Sequence, residues 1–168
     1  LVVTHLVMYA GTVLALGICE SEEFLDDARD ALRTAEALGD VSSMLCTQWT
    51  YGMALAHSGP ELRGRATDIL RPLLPDICSQ NSMAFVLPTV IAILSAEEVR
   101  TGHHVKAVND LRANYAECMR RGSRVFAGCL GEALVEILVE EGSTEGLAEA
   151  RQVVAHWCDL LAVQRGGG

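Results

Sequence analysis

Apolar residues recur three and four positions apart along most of this 168-residue chain, the spacing that lines one face of an α-helix. No segment alternates with period two between hairpin turns, so no strand is expected. The clearest stripe is Leu25, Ala28, Leu32 and Ala35, with Asp26, Arg29, Asp30 and Arg33 on the other side, spaced to pair at i,i+3. Ser21 is placed to cap that helix, and Glu22 and Glu23 complement its positive first turn. Gly39 suits a left-handed helix terminus, and Asp40 suits the cap of a next helix over 41–57. That helix has the candidate stripe Leu45, Gln48/Trp49, Gly52 and Leu55/Ala56.

Ser58-Gly59-Pro60-Glu61 breaks the pattern again. A helix opening at Pro60 buries Leu62, Ala66, Ile69, Leu70 and Leu73, and Pro72 and Pro75 are expected to end it. Residues 75–82 then form the longest connection. A helix over 83–100 contains Pro88, which implies a kink there or a true start at Pro88. After Thr101-Gly102 comes a helix with Ala107, Val108, Leu111, Tyr115 and Cys118 on its inner face; Arg120 and Arg121 complement its last turn and Gly122 ends it. The next helix, 124–141, carries Val125, Phe126, Cys129, Leu130, Ala133, Leu134, Ile137 and Leu138 and stops at Gly142. Ser143 or Thr144 caps the last one, with stripe Leu147, Ala150, Val154, Trp157 and Leu161.

These elements pair. With a first helix over roughly 1–20 they make an all-α chain of eight helices in four antiparallel hairpins, at about 1–39, 40–74, 82–122 and 123–162. The second helix of each hairpin has a small residue followed four positions later by a larger one: Ala28/Leu32, Ala66/Leu70, Ala107/Leu111 and Ala150/Val154. The alanines are 38, 41 and 43 residues apart, a period expected of stacked helix-turn-helix units in a right-handed solenoid. The small residue lets the two helices of a hairpin approach closely.

On these repeats, and on the phrases "ARDALRTAEALGD" and "YGMALAHSG", the chain resembles the tetratricopeptide-like helical-repeat regions of large bacterial signalling proteins. Such arrays follow an ATPase module in LuxR-type regulators and class III nucleotide-cyclase-like proteins, commonly from actinobacteria. The resemblance implies a cytoplasmic, non-catalytic domain within a signalling or transcription-control protein. The chain departs from that pattern in its longer periods and in having the terminal proline only at Pro72 and Pro75.

Composition fits a folded helical chain: half the residues are hydrophobic but only 5% aromatic, so Leu, Ala and Val form the core. Residues 1–162 are expected to be one domain, and 163–168 a flexible Gly-rich tail. The chain opens on Leu1 and closes on Gly166-Gly167-Gly168, which suggests a piece of something longer. A net charge of −9 argues against direct nucleic-acid binding. The uncharged first nineteen residues lack the basic start of a signal peptide, and His5, Thr4 and Thr12 dilute them as a membrane span. They read as a buried helix. Its lack of a polar face implies packing on a missing upstream repeat, or homodimerisation. The six cysteines form no CxxC pair and are expected to be reduced thiols. Cys78 is placed in a connection and the other five in helical runs.

No phosphate loop, dinucleotide fingerprint, nucleophile elbow, zinc-protease motif or EF-hand loop occurs, so no cofactor or catalytic residue is expected. His103-His104 with Glu97 and Glu98 could be drawn as a metal site, but adjacent helical residues diverge by about 100°. Glu132, Glu136 and Glu140 form an i,i+4 carboxylate stripe, read as a solvated face or a binding surface. Arg120, Arg121 and Arg124 make a small basic patch, most simply helix-end charge. Trp49 is core or lines the concave face of an array; Trp157 continues an apolar stripe.

The expected function is a helical-repeat domain for protein interaction or effector sensing, with Trp49, Met53, Glu132 and Glu136 as groove contacts. Its partner would be a protein or a neighbouring domain, with no membrane role. One alternative is an architectural homo-oligomerisation domain acting through the first helix. Another is a small helical enzyme using His103/Glu97 or Glu132/Glu136.

Overall fold

The computed structural model describes residues 22–79 and 86–165, and every regular element among them is an α-helix. There are seven: α1 (Glu22–Leu38), α2 (Val41–His57), α3 (Pro60–Ser79), α4 (Leu87–Arg100), α5 (His104–Arg120), α6 (Arg124–Glu141) and α7 (Thr144–Arg165). The expected first helix and its dimer role lie outside the described residues, as do Ser21, Cys19, Gly166–Gly168 and the side chains of Val125 and Leu161.

The chain divides into two units, 1–93 and 94–168, with the boundary inside α4. In the first, α2 packs against both α1 and α3. This explains its sequence. A helix covered on both sides has no room for charge, and none of its residues is Asp, Glu, Lys or Arg. Leu45, Trp49, Met53, Ala54 and Leu55 are all buried in it. Its buried hydroxyls are satisfied internally: Thr47 donates to the Ser43 carbonyl at 2.8 Å and Thr50 to the Cys46 carbonyl at 2.9 Å. α1 contributes Phe24, Ala28 and Ala35. Its outer face carries the expected pairs, Arg29–Asp26 at 2.8 Å and Arg33–Asp30 at 3.3 Å. The expected stripe is shifted, because Phe24 takes the deepest place while Leu25 and Leu32 are half-buried.

The α1–α2 joint forms as its residues dictate. Gly39 takes a positive φ of 67°, which costs a residue without a β-carbon little, and its N–H reaches the Ala35 carbonyl at 3.0 Å. The Asp40 carboxylate then accepts from the Ser43 N–H at 2.8 Å and from the Ser43 hydroxyl, capping α2. These two hydrogen bonds hold the Asp40 carboxyl below its ordinary range.

Pro72 and Pro75 do not end α3, which runs on to Ser79. Each proline lacks the N–H that would bond four residues back, which frees the carbonyls of Asp68 and Arg71. All four residues are exposed, so water can satisfy those carbonyls and the helix survives. The expected connection at 75–82 is therefore helical through Ser79, and Cys78 is a helical residue. α4 begins at Leu87 with Pro88 in its first turn, which agrees with a start at the proline rather than a kink.

In the second unit α6 packs against both α5 and α7. It buries Ala127, Leu130, Leu134, Ile137 and Leu138 and turns Glu132, Glu136 and Glu140 outward. Arg112 of α5 grips Glu149 of α7 with two hydrogen bonds, 2.7 and 2.5 Å long. Ser143 is the cap of α7, accepting from the Gly146 N–H at 3.0 Å. Val153 rather than Val154 faces inward, with Val154 48% exposed. α7 runs through Arg165, so residues 163–165 are helix rather than tail.

Candidate interaction surface

Ala28, Ala66, Ala107 and Ala150 are all buried, between 0% and 4% exposed. Two glycines of the neighbouring helices are also tightly covered. Leu70 of α3 lies over Gly52 of α2. In the other unit Gly131 of α6 is covered by Trp157, Tyr115 and Val153. The Tyr115 Oη and Trp157 Nε1 are both sealed from solvent and lack a partner in hydrogen-bond geometry among the described residues. Burial pushes the Tyr115 phenol up, against a weaker pull from the nearby Trp157 N–H.

Trp49 and Met53, expected as groove contacts, are 3% and 0% exposed. They are core residues, because α2 is covered on both sides. The Trp49 indole N–H donates to the Thr89 hydroxyl of α4 at 3.1 Å, which ties α2 to the start of α4. Glu132, Glu136 and Glu140 are exposed on α6.

The residues around His103 are turned to different tasks. Glu97 and Glu98 are buried carboxylates at the end of α4. Glu97 takes Arg100 at 2.7 and 2.5 Å. Glu98 receives Lys106 at 3.3 Å and lies 3.4 Å from His103 Nδ1. His104 points away to Glu141, at 3.3 Å. Glu97 is thus taken by Arg100, while His103 lies against Glu98. Among the described residues no group of three or more His, Cys, Asp and Glu side chains is placed to hold a metal ion. The cluster clasps the α4–α5 joint, where the His103 N–H bonds the Glu98 carbonyl at 2.7 Å.

Arg120 and Arg121 are likewise committed. Both grip Glu117, at 2.7–2.8 Å and 2.5 Å, and hold its carboxyl down at about 2, with Arg120 the larger cause. The described cysteines are free thiols. Burial pushes Cys46, Cys118 and Cys129 up, away from reactivity.

The sequence did not mark one further feature, a depression lined by Val41, Met44, Leu45 and Gln48 of α2 and Asp76 of α3. Val41 is 71% exposed, and Leu38, across the Gly39-Asp40 joint, is 68% exposed. A helical-periodicity reading assigns such residues to a core or ignores them at a helix end. Asp76 joins the lining because α3 runs on past Pro72 and Pro75. Among the described residues, no helix is long and apolar enough to cross a membrane. Comparison with family models, characterised proteins and solved structures gave no match.

Proposed function

We propose that this chain is a non-catalytic helical-repeat module that binds a protein partner or an effector, within a larger bacterial signalling or transcription-control protein. The observation that carries the reading is nearest-neighbour packing. In each unit a central helix is sandwiched by the helices directly before and after it in sequence, α1 and α3 on α2, α5 and α7 on α6. Stacked helical hairpins of this kind join by repetition into a curved, right-handed solenoid whose outward side chains are free for recognition. The use of the charged groups supports it. Arg100, Arg112, Arg120, Arg121 and Lys106 clasp carboxylates at joints and between helices, while Glu132 and Glu136 stay open.

Site-resolved photo-crosslinking tests the reading. A photoreactive phenylalanine replaces Glu132 or Val139, both exposed on α6, in the cells that make the protein. Adducts that contain a second, different protein or a neighbouring domain are expected. Adducts only between copies of this chain would replace the reading with homo-oligomerisation, and no adducts from either position would overturn it.

A further inference from the structure

We infer that the depression at the start of α2 is a docking site for a basic, apolar peptide segment of a protein partner, an inference that rests on the interaction reading above.

Three apolar side chains, Val41, Met44 and Leu45, line the depression, with the exposed Leu38 across the joint. An apolar side chain seated there removes this surface from water, and Met44 can adapt its shape to the guest. The polar members specify the rest. The Gln48 amide is half-exposed and makes no hydrogen bond within the described residues, so both its donor and its acceptor are open to a peptide backbone.

Asp76 is the deciding residue. It lies in the last turn of α3, where the unpaired carbonyls already concentrate negative charge. A carboxylate is at the wrong end of a helix there. No basic residue occupies that turn, and Asp76 has no ion-pair partner among the described residues. Among the described residues, no cation lines the depression. Over residues 22–79 ten carboxylates face five arginines, and Arg29 and Arg33 are already held by Asp26 and Asp30. A lysine or arginine beside an apolar residue would meet both the carboxylate and the negative helix end. A second copy of this chain, with its net charge of −9, fits less well.

The probe is a fluorescein-labelled peptide of about fourteen residues built from Leu and Lys at amphipathic helical spacing. A peptide with Glu in place of Lys is its control. Fluorescence anisotropy is read against the purified chain at about 0.15 M salt. Binding of the Leu/Lys peptide alone is expected. Asp76→Lys should weaken it about tenfold, and Val41→Asn about threefold. Asp68→Lys, the same charge change at another exposed position of α3, should leave it unchanged. Both Asp76 and Val41 are exposed, and a lysine suits the end of α3, so the variants are expected to fold; circular dichroism checks this. Absence of binding, equal binding of both peptides, or equal weakening by Asp76→Lys and Asp68→Lys would each overturn the docking site. Heterologous photo-adducts at Glu132 or Val139 alongside any of these would leave the interaction reading standing.

Discussion

Gly52 of α2 lies so close to Leu70 of α3 that a β-carbon at position 52 would sit 2.6 Å from both Cγ and Cδ2 of Leu70. Leu70 is fully buried. Gly52→Ala gains about 1 kcal/mol in helix propensity. It costs about 1–3 kcal/mol in overpacking. A net loss of stability is expected, read as a lower midpoint in urea. Leu70→Val on the same background should cost less than the two changes summed, because it opens the space the alanine needs. A rise in the midpoint for Gly52→Ala alone would show that the helices can separate without penalty.

The two prolines of α3 lead to an expectation of the opposite sign. Pro72 interrupts a helix that continues for seven more residues. Alanine there restores the bond to the Asp68 carbonyl and removes the ring clash. The helix-interior gain of about 3 kcal/mol is reduced by the extra freedom alanine gives the unfolded chain. Pro72→Ala is expected to raise stability by about 1–2 kcal/mol, measured by thermal unfolding. No change would mean that the helix is already broken at this point in solution.

Tyr115 presents a buried hydroxyl without a well-placed partner among the described residues, beside the Trp157 indole N–H in the same state. A phenylalanine keeps the ring over Gly131 and removes the stranded oxygen. Tyr115→Phe should therefore be neutral or stabilising, by up to about 1 kcal/mol. Calorimetry decides it. A clear loss of stability would show that the hydroxyl is hydrogen-bonded in solution.

Glu117 supplies the pH dependence. Its folded carboxyl is held at about 2 by Arg120 and then Arg121. An ordinary glutamate titrates at about 4.3. A lowered folded value means that the pair contributes fully above the unfolded value and that the contribution is lost as pH falls toward about 2. The group is exposed, so the effect on stability is small and screened by salt. Side-chain NMR titration should place its midpoint far below that of an ordinary glutamate. Arg120→Gln with Arg121→Gln should return it to the ordinary range.

The helices were largely legible because their ends carry strong local chemistry. Val41–His57 and Arg124–Glu141 match the expected spans to the residue, since Gly39, Asp40, Gly122 and Gly142 leave the chain little choice. What the sequence misplaced depends on surroundings. Local rules mark Pro72 and Pro75 as stops because they do not reveal that both prolines, with Asp68 and Arg71, lie exposed. Trp49 is ambiguous between core and groove in the sequence because an uncharged helix shows no preferred face, and only the position of α2 between α1 and α3 decides the matter. Val153 and Val154 are adjacent, so a drift of one position in phase exchanged the inner and outer valine. The depression needed two helices in register, Val41 at the start of one and Asp76 near the end of the next, and no stripe within either helix announces it.

The sandwiching of α2 and α6 by their sequence neighbours also bears on how fast the chain finds its shape. Each major contact joins residues separated by one short turn, so little entropy is lost in closing the loop before the contact forms. Chains dominated by such local closures fold within microseconds to milliseconds, and any one of several turns can start the process. A burst of helical signal within the dead time of a stopped-flow mixer is the behaviour this arrangement implies.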